Sequence, residues 1–198
     1  MSAVYFPIDA VISILVGSEE LSAVEIATIG NEGVVGASAV LGVPRAFGRT
    51  VVHMAGRAIA VRARDATALL CEQPHVSNLI RRYLYAFIRQ VGQAAACNRL
   101  HTAEERCARW VLMTQDRAHA DRFSMTQEFL AAMMGSRRAT VNLAISMLEN
   151  AGAIDYRYRT LTVVDRQQLE SLACPCYRII RKAFELVRPD STLADNSR

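Results

Sequence analysis

Lysine is almost absent from this chain of 198 residues, since Lys182 is the only lysine among its 23 basic residues. Arginine suits phosphate and guanine because its planar guanidinium presents paired donors. A GC-rich coding sequence produces the same bias, so the bias alone assigns no function. The distribution of charge says more. Residues 1–73 hold 5 Arg against 7 Asp and Glu, whereas residues 74–198 hold 18 basic residues against 12 acidic ones. A nucleic-acid partner is therefore expected at the carboxyl-terminal part, although a merely soluble surface also has such an excess.

Long apolar runs are also missing. The apolar run over residues 10–16 is too short to span a bilayer, and residues 1–8 contain no basic segment of the kind that opens a signal peptide. We therefore expect a cytoplasmic protein without a membrane segment. A hydrophobic fraction of 52% and a mean hydropathy of +0.13 are enough for a real core in one large or two small domains.

The patterns that support catalysis are lacking as well. The four histidines are scattered, and no nucleophile–base spacing or carboxylate pair accompanies them. We therefore expect that the chain is not an enzyme. The histidines are His53, His75, His101 and His119.

Cysteine is present in an odd number, five, without the spacing of a disulfide scaffold. Cys174 and Cys176 form a C-x-C pair with no histidine near them in sequence, and two ligands do not make a zinc site. Cys97 or Cys107 would have to approach in the fold to complete one. Structural or idle thiols in a reducing compartment are the simpler expectation, with no metal and no cofactor.

The most informative pattern lies over residues 127–146. Two helical stripes of apolar residues flank Gly135, where a backbone without Cβ can turn sharply. The second stripe begins with the polar, basic residues 136–140, which is the surface that a recognition helix offers to DNA. The pattern predicts a helix-turn-helix, and the alternative is an ordinary helical hairpin with a solvated arginine pair. The stripes consist of Leu130, Ala131 and Met134, then Val141, Ala144, Ile145 and Leu148.

Residues 3–63 have the composition of short strands separated by turns. Such close spacing predicts a β-roll or jelly roll. Within it, a glycine-rich turn, a short apolar helix and an arginine could cradle a phosphate. Ordinary turns of the roll explain the same residues equally well. The possible effector pocket comprises Gly36, Ala37, Ser38, Arg49 and Thr50.

A periodic run over residues 74–100 predicts a helix about 40 Å long. Its apolar residues are spaced 4, 3, 4 and 3 apart, which is typical of a coiled-coil seam, so we expect this helix to dimerise. The alternative is a helix packed on its own β-roll. The predicted seam consists of Ile80, Leu84, Phe87, Val91 and Ala94, continued by Asn98.

The remaining segments complete the carboxyl-terminal domain. Residues 102–114 predict a helix, residues 117–122 a polar loop, and residues 124–127 a capping box S-x-x-Q at the start of the helix-turn-helix. Residues 154–158 and 160–164 predict a hairpin, or wing, with Arg157 and Arg159 at its tip. The predicted units are a sensor roll over 1–73, a dimerisation helix over 74–100, a winged helix-turn-helix domain over 101–190 and a frayed tail over 191–198.

This order of units resembles the Crp/Fnr superfamily of bacterial transcription regulators, and the resemblance covers nearly the whole chain. Its most specific parts are residues 126–149 with the wing, and the frame of residues 5–7 and 33–36. The resemblance implies an α+β fold and a homodimer that binds palindromic double-stranded DNA and contacts RNA polymerase. A small-molecule- or redox-sensing module with weak or no DNA binding is the alternative.

The resemblance also implies roles for residues 135–141. Arg138 takes the position of the family's base-contacting arginine and Thr140 that of its phosphate-side threonine, but Ala139 and Leu143 replace a glutamate and an arginine. The operator is therefore not expected to match that of the family's cyclic-AMP receptors. The implied base contacts are Arg137, Arg138 and Asn142. The implied phosphate contacts are Ser136, Thr140, Thr126, Gln127, Arg157 and Arg159.

The sensor departs from the family pattern. Ala37 follows Gly36 where cyclic-nucleotide binders have a glutamate, and this change leaves a ribose hydroxyl without its acceptor at a cost of about 1–3 kcal/mol. Cyclic-nucleotide control is therefore not expected. No cysteine precedes Cys71, so an amino-terminal iron–sulfur cluster is not supported. The family's first strands would lie before Met1, which predicts a shortened chain or an abbreviated roll.

Overall fold

The computed structural model describes residues 2–17 and 23–187. The predicted tail over 191–198 lies outside the described residues. No helix of the described part is long and apolar enough to cross a membrane.

The amino-terminal part is the expected roll of short strands. Strands β1 and β5 form one antiparallel sheet, and β2 lies between β3 and β4 in a second antiparallel sheet. A bridge between Tyr5 and Val35, with hydrogen bonds of 2.9 and 2.8 Å in the two directions, joins β1 to the glycine-rich turn. The elements are β1 (Ala3–Pro7), β2 (Val11–Val16), β3 (Val24–Ile29), α1 (Ala37–Val40), β4 (Arg49–Met54), β5 (Ala58–Arg62) and α2 (Ala63–Glu72).

The long helix α3 (Pro74–Leu100) has the predicted bounds. Pro74 stands in its first turn, where the missing N–H of proline costs no helical hydrogen bond. The helix packs against β3 and against the last helix, α8 (Cys176–Glu185). It therefore belongs to both halves of the molecule.

Over residues 103–187 the carboxyl-terminal part has five helices and a three-stranded sheet of order β6-β8-β7. Its core continues into the roll, because Leu15 of β2 belongs to the same buried cluster as the helices. The elements are α4 (Ala103–Ala118), β6 (Arg122–Ser124), α5 (Gln127–Met134), α6 (Arg138–Asn150), β7 (Ile154–Arg157), β8 (Thr160–Val163), α7 (Arg166–Leu172) and α8 (Cys176–Glu185).

Two local predictions are wrong. Residues 117 and 118 do not open a loop but close α4, and Arg117 is buried. The capping box over 124–127 does not form, because Ser124 pairs with Thr160 in the sheet. The side chain of Thr126 caps α5 instead, accepting a hydrogen bond of 3.1 Å from the backbone N–H of Phe129. A capping box forms elsewhere, between Thr102 and Glu105 at the start of α4.

Candidate nucleic-acid interface

The helix-turn-helix predicted from residues 127–146 is confirmed as α5 and α6. Gly135 ends α5 in the left-handed region at φ +58°, which favours glycine. Ser136 then donates its backbone N–H to the Ala131 carbonyl at 2.9 Å, and the chain turns within the three residues 135–137. Val141 of α6 is fully buried in the same cluster as Ala131. This packing fixes the angle at which α6 leaves the body of the domain.

The outward face of α6 is basic at its start and apolar along its length. Arg137 and Arg138 are exposed, and Arg138 forms an ion pair of 2.6 Å with Glu128 of α5. Beyond them Leu143 is 66% exposed and Met147 55% exposed. The other face of α6 packs into the core. Large apolar side chains exposed on its outward face indicate that this face is a contact surface.

Apart from those of the wing, the other residues predicted to contact base edges or phosphates are less exposed than Arg137 and Arg138. Thr126, Gln127, Ser136 and Thr140 are half-buried at the starts of α5 and α6. Asn142 is also half-buried, and its Oδ1 is enclosed without a hydrogen-bond partner. Leu143 and Met147 have the more exposed places on α6, and the contact of Asn142 with base edges stays a prediction.

The wing is present as the hairpin of β7 and β8. Tyr158 and Arg159 form its tip, both at positive φ, and Tyr158 is 99% exposed. Arg157 pairs with Asp155 at 2.8 Å, whereas Arg159 is exposed. The hairpin thus brings two arginines to the edge of the domain.

The predicted dimer seam on α3 needs correction. Ile80, Leu84 and Phe87 pack against the cluster of β1 and α8, and Phe87 with Val91 packs against β2 and β3. Ala94 is buried and Asn98 is exposed. The seam is therefore covered by the chain's own roll and α8, which is the alternative that the sequence left open. A second row of residues on the other side of α3 is exposed.

The residues of the predicted effector pocket lie on different elements. Gly36, Ala37 and Ser38 surround the start of α1, whereas Arg49 and Thr50 are exposed on β4. None of the five lines the cavity of about 960 Å³ that lies between the roll, α3, α4 and α8.

A buried polar network beside this cavity joins the two halves of the chain. Arg117 of α4 donates to Glu32 at 2.7 Å and to Gln90 of α3 at 3.3 Å. Gln90 in turn donates to the Thr28 carbonyl of β3 at 3.0 Å. The guanidinium also lies 5.3 Å from the centroid of the Phe184 ring. Sequence reasoning missed Arg117, since an arginine near a helix end usually lies in solvent.

The second sheet of the roll covers one side of the helix-turn-helix domain. His53 of β4 stacks on Trp110 of α4, with ring centroids 4.6 Å apart, and contacts Phe129 of α5. Burial lowers the pKa of His53 to about 4. Val24 of β3 lies so close to the turn that a Cβ at Gly135 would come within 2.8 Å of its Cγ2. The second sheet of the roll and the turn of the helix-turn-helix are thus in direct contact.

Four further residues meet where α3, α4 and α8 join. The thiols of Cys97, Cys174 and Cys176 and the imidazole of His101 all lie within 4.8 Å of one another. A hydrogen bond from the Cys174 thiol lowers the pKa of Cys97, and the same hydrogen bond raises the pKa of Cys174. The sequence signal that was missed is Cys97-x-x-x-His101, which places two ligand types on one helical face.

Comparison with known proteins supports the helix-turn-helix and the overall fold. Residues 105–172 match the family model described as the Crp-like helix-turn-helix domain. A search of curated proteins gave no match. The fold resembles several solved structures over most of both chains.

Three of these structures show the extent of the similarity. FixK2 from Bradyrhizobium japonicum has a TM-score of 0.70 at 17% identity, covering 87% of this chain and 88% of the other. The CRP-family regulator TTHB099 from Thermus thermophilus has a TM-score of 0.69 at 19% identity, with the same coverage of 87% and 88%. The CRP/FNR-family regulator TTHA1359 from the same organism has 0.68 at 20%, again covering 87% and 88%.

Proposed function

We propose that this chain, which carries a Crp-like helix-turn-helix domain within the fold of the Crp/Fnr regulators, is a sequence-specific transcription regulator. It binds a palindromic DNA site as a homodimer and is not an enzyme. The observation that carries this proposal is the surface of α6, with exposed Arg137 and Arg138 at its start and a wing beside it. Cytoplasmic location and contact with RNA polymerase belong to the same proposal, and the regulators among the structural neighbours support it.

The side chains of α6 match the major groove by type. Arg138 offers two parallel donors to the O6 and N7 atoms of guanine once it leaves Glu128. Ala139 and Leu143 present methyl groups that fit the 5-methyl of thymine. With few polar groups on this face, the remaining specificity comes from the shape and stiffness of the DNA.

The phosphate contacts come from the rim of this surface. Thr126 accepts a backbone hydrogen bond through its side-chain oxygen, so its hydroxyl proton remains available to a phosphate. The start of α6 adds backbone N–H groups that are unsatisfied within the helix. Arg157 and Arg159 of the wing extend the contact to the flanking backbone.

The dimer forms through the exposed row of α3. Its members are spaced 4, 3, 4, 3 and 4 apart, as in a coiled coil, and Ile88 is 68% exposed. Gly92 has open space at its missing Cβ, and with Ala95 it permits close approach of a second α3. A two-fold axis along α3 presents two recognition helices to half-sites one helical turn, roughly 34 Å, apart. The row consists of Arg81, Tyr85, Ile88, Gly92, Ala95 and Arg99.

In vitro selection of DNA sites with the purified full chain tests this proposal. We expect a palindrome whose half-sites are one helical turn apart. On that site Arg138→Ala should lose about 1–3 kcal/mol of binding free energy and relax one base position per half-site. The matched control is Arg64→Ala, since Arg64 is exposed on α2, and it should bind like the unchanged protein.

Recovery of no enriched sequence would contradict the proposal. An equal loss on all sequences for Arg138→Ala would instead make Arg138 a phosphate contact.

Sensing of a small molecule is a second candidate function, and the cavity of about 960 Å³ favours it because ligand sites commonly have this size. The cavity is lined by both halves of the chain, including Glu32, Tyr83, Arg117 and Arg166. A thermal-shift panel of cyclic nucleotides and haem tests it. A concentration-dependent rise in Tm that Tyr83→Ala removes would support this candidate, and a flat panel would leave DNA binding as the main activity.

A further inference from the structure

The cluster of Cys97, His101, Cys174 and Cys176 lies where the long helix passes into the DNA-binding domain. Cys97 is in the last turn of α3, His101 is the residue that ends it, and Cys174 and Cys176 flank Pro175 at the start of α8. All three cysteines are buried. The chain folds back over more than 70 positions to bring these residues together.

The distances match a single tetrahedral ion. Sulfurs bound to one zinc at about 2.3 Å lie about 3.8 Å apart, and a sulfur and a ring nitrogen about 3.5 Å apart. The Sγ atoms of Cys97 and Cys174 are 3.4 Å apart, and Cys176 Sγ is 3.5 Å from His101 Nδ1. No pair of ligand atoms is further apart than 4.8 Å, which leaves room for one ion and not for a cluster of several metals. A disulfide between Cys97 and Cys174 would instead need about 2.05 Å.

The surroundings supply the charges and donors that such a site needs. Gln93 donates a hydrogen bond of 3.1 Å to Cys176 Sγ, which orients that sulfur as outer-shell partners of metal ligands do. Two arginines of α4, Arg106 and Arg109, each bury an Nε without a hydrogen-bond partner. Both interact electrostatically with the thiols of the cluster. Three thiolates around a divalent ion carry one net negative charge, and these guanidinium groups balance it.

We propose that Cys97, His101, Cys174 and Cys176 form a closed Cys₃His site for one zinc-class divalent ion. Zinc is favoured because thiolate and imidazole ligands in a closed tetrahedron are typical of structural zinc sites. The ion ties the end of α3 and the joint at His101 to the start of α8. Its role is to hold the connection at His101 in one conformation, so that α4 keeps a fixed orientation relative to α3. The inference stands independently of the proposed function.

The joint and the DNA-binding motif are also connected by Arg106. Its guanidinium donates to the Met134 carbonyl at the end of α5, while its charge lies near Cys97 and Cys174. A single side chain, that of Arg106, thus links the proposed metal site to the end of α5. This contact explains why an arginine of α4 is half-buried instead of solvated.

The test uses the purified full chain, reduced and stripped with a chelator, and Co²⁺ alone as the probe. We expect one equivalent of cobalt per chain, with the visible bands of tetrahedral Co²⁺ and a thiolate charge-transfer band that Zn²⁺ bleaches. His101→Ala and Cys176→Ser should weaken cobalt binding about tenfold or more, since even loss of an outer-shell partner costs 10–100-fold. Cys71→Ser is the matched control, because Cys71 is exposed outside the cluster, and it should retain the full spectrum.

A second measurement reports the structural role. Zn²⁺ should raise the Tm of the stripped chain and slow amide exchange in residues 98–106, and His101→Ala should remove both effects. Circular dichroism checks that the variants remain folded. The absence of a charge-transfer band, or an unchanged band in Cys176→Ser, would overturn the proposal. So would a Cys97–Cys174 disulfide that resists the reductant and is still present after exposure to the metal.

Discussion

Arg117 and Glu32 lie 85 positions apart in the sequence and form an ion pair of 2.7 Å between α4 and the turn after β3. The side chain of Arg117 is 6% exposed and that of Glu32 is 22% exposed. The pair joins α4, which packs against the helix-turn-helix, to the amino-terminal roll. It also borders the cavity between these two parts, so any ligand bound there would contact both of them.

Removal of this arginine should destabilise the protein strongly. Arg117→Met leaves a largely buried carboxylate without its partner, and we expect a loss of about 3 kcal/mol in the free energy of unfolding, measured by urea denaturation. The double variant Arg117→Met with Glu32→Gln should recover part of this loss, because it removes the unpaired charge. Equal stability of the single and double variants would show that the unpaired Glu32 carboxylate costs nothing, which would contradict the prediction.

The stack of His53 on Trp110 predicts a dependence of stability on pH. Because burial lowers the pKa of His53 from 6.5 to about 4, the unfolded chain binds more protons between these values. The contribution of the neutral ring is therefore complete above pH 6.5 and is lost as pH falls towards 4, by up to about 3 kcal/mol. His53→Phe keeps an aromatic ring on Trp110 and should flatten the stability profile over this range. Identical profiles for the two proteins would contradict the prediction.

The exposed row of α3 predicts the site of dimerisation. Ile88→Arg places a charge in this exposed row. The variant should convert the proposed dimer to a monomer, as measured by sedimentation equilibrium. Leu41→Arg is a matched control, since Leu41 is 63% exposed but lies beside α1. Phe87→Ala should instead lower stability by roughly 2 kcal/mol with the dimer retained, because Phe87 packs within the chain. If Phe87→Ala abolished the dimer and Ile88→Arg did not, the dimer interface would be the row that the sequence predicts.

The ion pair between Arg138 and Glu128 predicts a gain in DNA binding. Glu128→Gln removes a carboxylate that competes with DNA for the guanidinium, and both side chains are 61% exposed. Exposed pairs contribute about 0.2–1 kcal/mol, so we expect affinity for the selected site to rise up to about fivefold. The control Glu72→Gln removes an exposed carboxylate on α2 and should change affinity less. A loss of affinity in Glu128→Gln would mean that the pair positions Arg138 for its base.

The arginines of the wing should contribute to the free energy of DNA binding independently of the DNA sequence. Arg157→Ala and Arg159→Ala should each weaken binding to all sequences alike and reduce the slope of log K against log salt concentration by about one. Tyr158→Ala changes the most exposed residue of the tip without changing charge, so its slope should stay the same. Fluorescence anisotropy at several salt concentrations measures these slopes. Unchanged slopes in both arginine variants would remove the wing from the interface.

The sequence by itself determined those features that depend on residues only a few positions apart. Gly135 between two apolar stripes, the periodic run that became α3, and alternating short strands are local patterns, because helix and strand periods repeat within a few residues. For the same reason the recognition helix and the wing were predictable with their exposed arginines. Within these elements, Ser124 was misassigned, since its pairing with Thr160 involves residues distant in sequence.

Only the tertiary structure decided which face of each helix is covered. Two rows of α3 have coiled-coil spacing, and the roll together with α8 covers one of them, which leaves the other exposed. Arg117 is buried because Glu32 and Gln90 meet it from two other elements. The ligand set of Cys97, His101, Cys174 and Cys176 likewise depends on the packing of α8 beside α3. Side-chain partners from remote segments are set by the packing of whole elements, which no local period encodes.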